Sequence, residues 1–405
     1  MKTSKTEFTN SEGIRLTARI EVPADRKPIG FALFAHCFTC NKNLPAVRNI
    51  SRALTGAGLG VMRFDFTGLG ESEGEFSDTN FSGNIRDIRS AALFLKKHYR
   101  APGLLIGHSL GGAAVLHAAA EIDSVNAIAT IGAPADPRHV TRLLKNGMED
   151  LEKNGSAAIS IGGRPFTIKK QFIDDLTTVD MTSVLAGMRK ALLIAHSPQD
   201  EIVGIQNAAD LFKAARHPKS FVSLDGADHL LSNPADSIYI GEVIAQWAKR
   251  YIADKEAPKP DTHLQVVASL DSQEKFTTRI KAGKHYLIAD EPGSVGGNDF
   301  GPTPNDLVSA GLATCTAMTI RMYADRKNWI LDEVNVHIRH SKIHAHDCNT
   351  CEDSTSAKID LFTRVIELKG NLDKQQRQRL LEIANKCPVH KTLRSETAIK
   401  TELLT

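Results

Sequence analysis

The pentapeptide Gly107-His108-Ser109-Leu110-Gly111 follows directly on the apolar run Gly103-Leu104-Leu105-Ile106. The next residues, Gly112-Ala113-Ala114-Val115-Leu116-His117-Ala118-Ala119-Ala120, read as a helix. A strand that passes at once into a helix through a serine between glycines leaves few folds open. The turn holds the serine in a cramped backbone conformation, where a side chain on either neighbour would clash. It lifts the hydroxyl above a sheet edge and leaves backbone N–H groups free to face an oxyanion. Ser109 is therefore the candidate nucleophile.

A serine hydroxyl needs a base and an orienting acid. On such an elbow the partners follow in the order Ser, Asp or Glu, His. Lys190-Ala191-Leu192-Leu193-Ile194-Ala195-His196 reads as a buried strand, and Asp200 lies in the loop after it. Phe221-Val222-Ser223-Leu224 reads as a further strand, followed by Asp225-Gly226-Ala227-Asp228-His229. Asp200 and His229 thus fall at the same sheet edge as Ser109. Glu201 is the nearest rival acid, and Asp225 and Asp228 lie beside the histidine rather than after the preceding strand.

Phe31-Ala32-Leu33-Phe34-Ala35 is an early strand ending in His36-Cys37-Phe38, and Arg63-Phe64-Asp65-Phe66 leads into Thr67-Gly68-Leu69-Gly70. The Gly68–Gly70 turn lacks the Gly-Lys-Ser/Thr ending of a phosphate loop and reads as a structural turn. With the elbow, these segments resemble the α/β-hydrolase superfamily, whose early strand commonly ends in His-Gly before an oxyanion-hole residue. The resemblance implies a mostly parallel sheet flanked by helices and a small lid. It makes the backbone N–H groups of Phe38 and Leu110 the oxyanion donors. Cys37 stands where the family often has Gly.

At 405 residues the chain is long enough for two domains. A net charge of +3 is too small to argue for nucleic acid or an anionic membrane. No apolar run approaches the roughly 18 residues of a membrane span. Met1–Glu7 holds no apolar signal-peptide core, and the six cysteines are too dispersed for a secreted disulfide framework. These features predict a cytoplasmic protein with reduced thiols. Cys37-x-x-Cys40 has no second pair in its own half and reads as packing beside the oxyanion loop.

Residues 240–251 read as a closing helix with Val243, Ile244, Trp247 and Tyr251 on one face. Charged residues and two prolines follow, so 1–252 is expected to be the first domain, 253–261 a linker and 262–405 the second domain. Residues 134–188, between the strand Ala127–Ile131 and the strand before Asp200, are the expected lid.

The second domain reads as α+β. Strands are expected at 263–268, 276–280, 286–289, 331–344 and 357–368, with helices from Pro304 to Met322 and over 373–386. Gly301-Pro302-Thr303-Pro304-Asn305-Asp306-Leu307, then Cys315, then Cys387-Pro388-Val389-His390 resemble the OsmC/Ohr family of organic-hydroperoxide-resistance proteins. The resemblance implies that Cys315 attacks an organic hydroperoxide, that Cys387 closes a disulfide, and that a dithiol reductant reopens it. It also implies a homodimer through this domain. Active members carry Glu after the Pro that starts the central helix, and this chain has Asn305 there. Arg279 and Asp306 are the candidate groups to support a thiolate.

His344, His346, Cys348 and Cys351 have metal-like spacing but read as a polar loop with incidental thiols. No cofactor or metal is expected. The reading is a Ser–His–Asp hydrolase of an ester, thioester or related acyl bond, followed by an OsmC-like module. One alternative makes that module a binding or dimerisation unit without chemistry. Another assigns lyase or C–C bond chemistry to the same triad.

Overall fold

Short, wholly apolar strands alternate with helices through the first half of the chain, the pattern of a sheet covered on both faces. In the computed structural model, which describes residues 1–161, 164–252, 259–272, 274–344 and 358–403, this pattern forms one eight-stranded sheet. Its strands are β1 (Lys2–Thr9), β2 (Arg15–Val22), β3 (Phe31–Ala35), β4 (Gly60–Phe64), β5 (Leu104–His108) and β6 (Ala127–Ile131). After the lid hairpin β7 (Ser156–Ile161) and β8 (Arg164–Lys169) come β9 (Ala191–His196) and β10 (Lys219–Ser223). The sheet order is β1-β2-β4-β3-β5-β6-β9-β10, parallel from β4 to β10 and antiparallel at the β1-β2 edge.

The interleaved helices are α1 (Pro45–Gly56), α2 (Phe81–His98), α3 (Leu110–Glu121), α4 (Met148–Asn154), α5 (Lys170–Thr177), α6 (Met181–Gly187), α7 (Gln206–Ala214) and α8 (Pro234–Ile252). One apolar layer joins α2 and α3 to the sheet and runs on into the lid through Leu144, Ile159, Phe172 and Leu185. The other joins α1 and α8 to the opposite face. Helix α8 buries Ile240, Gly241, Ile244, Ala245 and Ala248, while the expected face residues Val243, Trp247 and Tyr251 pack at its margin. Gly241 decides this rotation: a Cβ there would lie 2.8 Å from the Ala53 Cβ of α1.

The chain divides into two units, Met1–Pro258 and Lys259–Thr405. Residues 253–258 of the expected linker lie outside the described residues. Its last residues belong to the second unit, because Asp261 pairs with Lys281 and the Lys259 ammonium sits over the Tyr286 ring.

The second unit holds an antiparallel sheet of β11 (Val266–Ser269), β12 (Thr278–Ala282) and β13 (His285–Ala289). It also holds a long antiparallel pair, β14 (Glu333–His344) and β15 (Lys358–Lys369). Helix α9 (Pro304–Arg326) packs with α10 (Lys374–Ala384) against that pair, and α11 (Pro388–Arg394) follows. Among the described residues the strands of this unit thus form two separate sheets. Apart from His344, which ends β14, the metal-like cluster lies outside the described residues. No helix among the described residues is long and apolar enough to cross a membrane.

Candidate active site

Ser109 sits between β5 and α3 with φ 55°, a region that non-glycine residues rarely adopt. The glycines around it permit the turn by close approach. A Cβ on Gly107 would lie 2.4 Å from the Gly111 carbonyl, and one on Gly111 would lie 2.3 Å from the His36 carbonyl. The second contact presses the start of α3 against the end of β3. The oxyanion loop and the elbow are thus adjacent because Gly111 has no side chain.

His229 bridges the other two candidates. Its Nε2 accepts from the Ser109 hydroxyl at 3.0 Å, and its Nδ1–H donates to Asp200 Oδ2 at 2.7 Å. The other Asp200 oxygen accepts from the Ile202 and Val203 amides at 2.9 and 2.8 Å. Burial works to raise the Asp200 pKa, but the His229 hydrogen bond and charge and these two amides outweigh it, so the carboxyl stays below its usual range. The rival acids are occupied or turned away. Asp225 accepts from the Ser223 hydroxyl, Asp228 accepts from the Ser232 amide, and Glu201 is exposed.

The amides of Phe38 and Leu110 have no acceptor among the described residues. The Cys37 carbonyl accepts from His36 Nδ1–H at 2.9 Å and from the Cys40 amide at 3.2 Å. Because a trans peptide is planar, fixing that carbonyl turns the Phe38 N–H the opposite way. The Phe38 ring packs on Phe172 of the lid and on Phe76, at centroid distances of 5.3 and 5.5 Å. Beside His229 opens a cleft of 430 Å³ whose lining includes Glu201, Ile202, Asp228 and Leu230.

Three features escaped the sequence reading. First, Cys37 and Cys40 form a disulfide, so the expectation of reduced thiols fails at this pair. Second, Lys42 is wholly buried, with its ammonium on Asp65 and 2.8 Å from Glu71, and its amide donates to Asp65 at 2.6 Å. The Gly68–Gly70 turn wraps this carboxylate, since a Cβ on Gly70 would lie 2.2 Å from it. This network anchors the far end of the loop that follows β3. Third, His108 donates from Nε2 to the His229 carbonyl at 2.7 Å and holds the loop that carries His229. Burial, then the nearby His229 ring, pushes the His108 pKa down to about 3, so it stays neutral. Histidines at strand ends gave a signal for this third feature; the buried lysine gave none.

In the second unit Cys315 is half-buried on α9 and Cys387 is buried at the start of α11, both as free thiols. The Cys387 sulfur accepts from the His390 amide at 3.3 Å and lies 3.7 Å from the Thr316 hydroxyl. The cation at Cys387 is Arg364 of β15, which donates to the same hydroxyl at 2.8 Å. Burial lowers the Arg364 pKa, and Cys387 works in the opposite direction. Among the described residues neither Arg279 nor Asp306 is hydrogen-bonded to a thiol. Arg279 sits on β12, and Asp306 closes a capping box with Thr303 at the start of α9. Asn305 is exposed in that first turn.

Comparison with known proteins agrees with this division. Residues 40–156 match the family model "Serine aminopeptidase, S33", and residues 296–402 match "OsmC-like protein". The chain is 53% identical to the esterase domain of a Rhodothermus marinus protein, covering 62% of this chain and 99% of that one, with a TM-score of 0.52. Mouse alpha/beta hydrolase domain-containing protein 10 shares the fold at 21% identity, over 61% of this chain and 99% of that one, with a TM-score of 0.53. An uncharacterized 31.7 kDa Escherichia coli protein of the traX-finO intergenic region is 34% identical over 134 residues, 32% of this chain. The chain spans about half the length of that curated relative (46%). A relative half-identical along almost its whole length fixes the kinship of the first unit, and the second family match that of the other: the chain belongs to the α/β-hydrolase family and carries an OsmC-like domain after its hydrolase unit in sequence.

Proposed function

We propose that the first unit hydrolyses carboxylic esters through Ser109, His229 and Asp200. The observation that carries this is the continuous hydrogen-bonded chain from the Ser109 hydroxyl to the Asp200 carboxylate. Ser109 Oγ attacks the ester carbonyl carbon while His229 Nε2 takes its proton. Asp200 holds the ring in the tautomer that leaves Nε2 free to accept. The oxyanion takes hydrogen bonds from the Phe38 and Leu110 amides. His229 then protonates the departing alcohol, and water, activated by the same nitrogen, releases the acid. The relative of known structure is an esterase domain by name, which supports an ester over other acyl bonds.

Hydrolysis of p-nitrophenyl acetate and butyrate tests the reading. Ser109→Ala should lower kcat by at least ~10³-fold and His229→Ala by a similar factor. Undiminished turnover in Ser109→Ala would remove the serine from the mechanism.

For the second unit we propose a homodimer through α9, with reduction of an organic hydroperoxide at Cys315 and Cys387. Thr316, adjacent to Cys315 in the chain, touches Cys387, which supports pairing of the two thiols. The Cys315 thiolate attacks the outer peroxide oxygen, an alcohol leaves, and the sulfenic acid condenses with Cys387, releasing water. A dithiol reductant restores both thiols. Peptide mapping after mild cumene hydroperoxide should find a Cys315–Cys387 disulfide. Its absence, with both thiols intact, would leave this unit a dimerisation module. Two retained free thiols also favour a cytoplasmic location.

A further inference from the structure

The loop Cys37-Phe38-Thr39-Cys40 carries a disulfide between its ends and, within it, the Phe38 amide placed above in the oxyanion hole. We propose that this bond is a redox switch on the hydrolase: closed, it holds the oxyanion donor in place; opened by a dithiol reductant, it releases that donor and slows catalysis. The inference rests on the assignment of Phe38 as an oxyanion donor.

A ring closed over so few residues restricts the unfolded chain far less than a bridge across a long loop. Its effect is therefore local. What it holds is Thr39, a β-branched residue at φ 63°, in the left-handed region that such residues avoid. With the bond closed, Thr39 has little freedom to leave that conformation. The peptide between Cys37 and Phe38 is one rigid plane, so the orientation of the Phe38 N–H follows the Cys37 carbonyl. That carbonyl bonds the Cys40 amide within the ring and His36 outside it. Opening the ring removes the covalent link that keeps Cys40 close. Thr39 then relaxes toward negative φ and takes the Cys40 amide away from the Cys37 carbonyl. Lys42, two residues on, remains anchored by Asp65, so the change stays within the loop.

The two sulfurs differ in access. Cys37 is 3% exposed, whereas Cys40 is partly exposed. An incoming thiolate therefore attacks Cys40 Sγ, forming a mixed disulfide and releasing the Cys37 thiolate, which takes up a proton. The second thiol of the reductant attacks the mixed bond, closes its own disulfide and releases Cys40. Two electrons pass from the dithiol to the Cys37–Cys40 bond. An oxidant of the disulfide class reverses the sequence. The hydrolase is thus more active in an oxidised cell than in a reduced one.

The test uses the full chain with Cys315, Cys348, Cys351 and Cys387 each replaced by Ser, so that the loop pair holds the only remaining cysteines. Purified in air, it should yield no free thiol under native conditions, and two after tris(2-carboxyethyl)phosphine. Opening the bond should lower kcat for p-nitrophenyl butyrate about 10-fold, less than the 10²–10³-fold loss on deleting an oxyanion donor outright. KM should change little, because the oxyanion forms only in the transition state. Reoxidation with oxidised glutathione should restore kcat. Cys37→Ser/Cys40→Ser should be fixed at the low kcat and insensitive to reductant. An unchanged kcat with two thiols released would overturn the switch, as would a pair that stays closed in reductant or is already reduced in air. If the air-purified protein instead lacked esterase activity altogether and Ser109 failed to label, the proposed function would be at fault rather than the switch.

Discussion

The two units bury their apolar residues to very different degrees. The sheet of the first is covered on both faces, by α2 and α3 on one side and α1 and α8 on the other, and its strands are buried along their length from β3 to β9. The core of the second gathers around Ile320, Ala324, Leu331, Leu372, Leu380 and Ala384. Its longest helix, α9, leaves Met318 and Met322 65% and 72% exposed, with Val308 on the same stripe. This exposed apolar stripe is the observation on which the proposed homodimer rests. The first unit covers its sheet on both faces; the second leaves an apolar stripe of α9 exposed. The difference also bears on chemistry. The hydrolase assembles its three side chains from three loops of one sheet. The thiol site has a cation at Cys387 but no carboxylate partner from α9 of its own chain.

The comparison breaks most sharply at the exposed stripe. Met318→Glu together with Met322→Glu should weaken self-association by about 100-fold or more, since two methionines that the proposed dimer would cover are replaced by charges that must be desolvated. Sedimentation velocity should record a shift to monomer while esterase kcat stays at the wild-type level. A wild-type protein that is already monomeric at micromolar concentration would refute the reading of α9.

A smaller effect should be confined to the first unit. The folded pKa of His108 is about 3, against 6.5 for an ordinary imidazole. Below the unfolded value the unfolded chain takes up a proton that the native state refuses, so stability falls as pH drops from 6.5 toward 3. The loss should reach about 2 kcal/mol near pH 5. His108→Asn, whose amide can still donate to the His229 carbonyl, should flatten that slope in urea titrations of the first unit and leave the second unit's transition unmoved. An unaltered slope would mean that other groups carry the acid sensitivity.

Much of this was legible in the chain, for physical reasons. Ser109 directly follows β5, and Asp200 and His229 lie in the loops that follow β9 and β10; a parallel sheet brings strand ends together whatever their spacing in sequence. Helix α9 was legible from Thr303-Pro304 and the residues after it, a start signal that the capping box with Asp306 completes. The edge strand β1 was not, because it buries only Phe8 and so lacks an apolar pattern. Nor was the loop disulfide. Two cysteines in a turn read the same whether packed or bonded, and only the 5.3 Å between their Cα atoms meets the requirement of a bridge. Lys42 and Arg364 were hidden for a related cause. A charged residue reads as exposed unless its buried partner is known, and Asp65 and Cys387 are each more than twenty residues away along the chain.

The account rests on Ser109 being the nucleophile, and a fluorophosphonate tests that without any assumption about substrate. Mass mapping of the labelled intact chain should place one adduct on the peptide containing Ser109. The adduct should be absent in Ser109→Ala and formed much more slowly in His229→Ala. An adduct on another residue, or labelling at the wild-type rate without His229, would contradict the account.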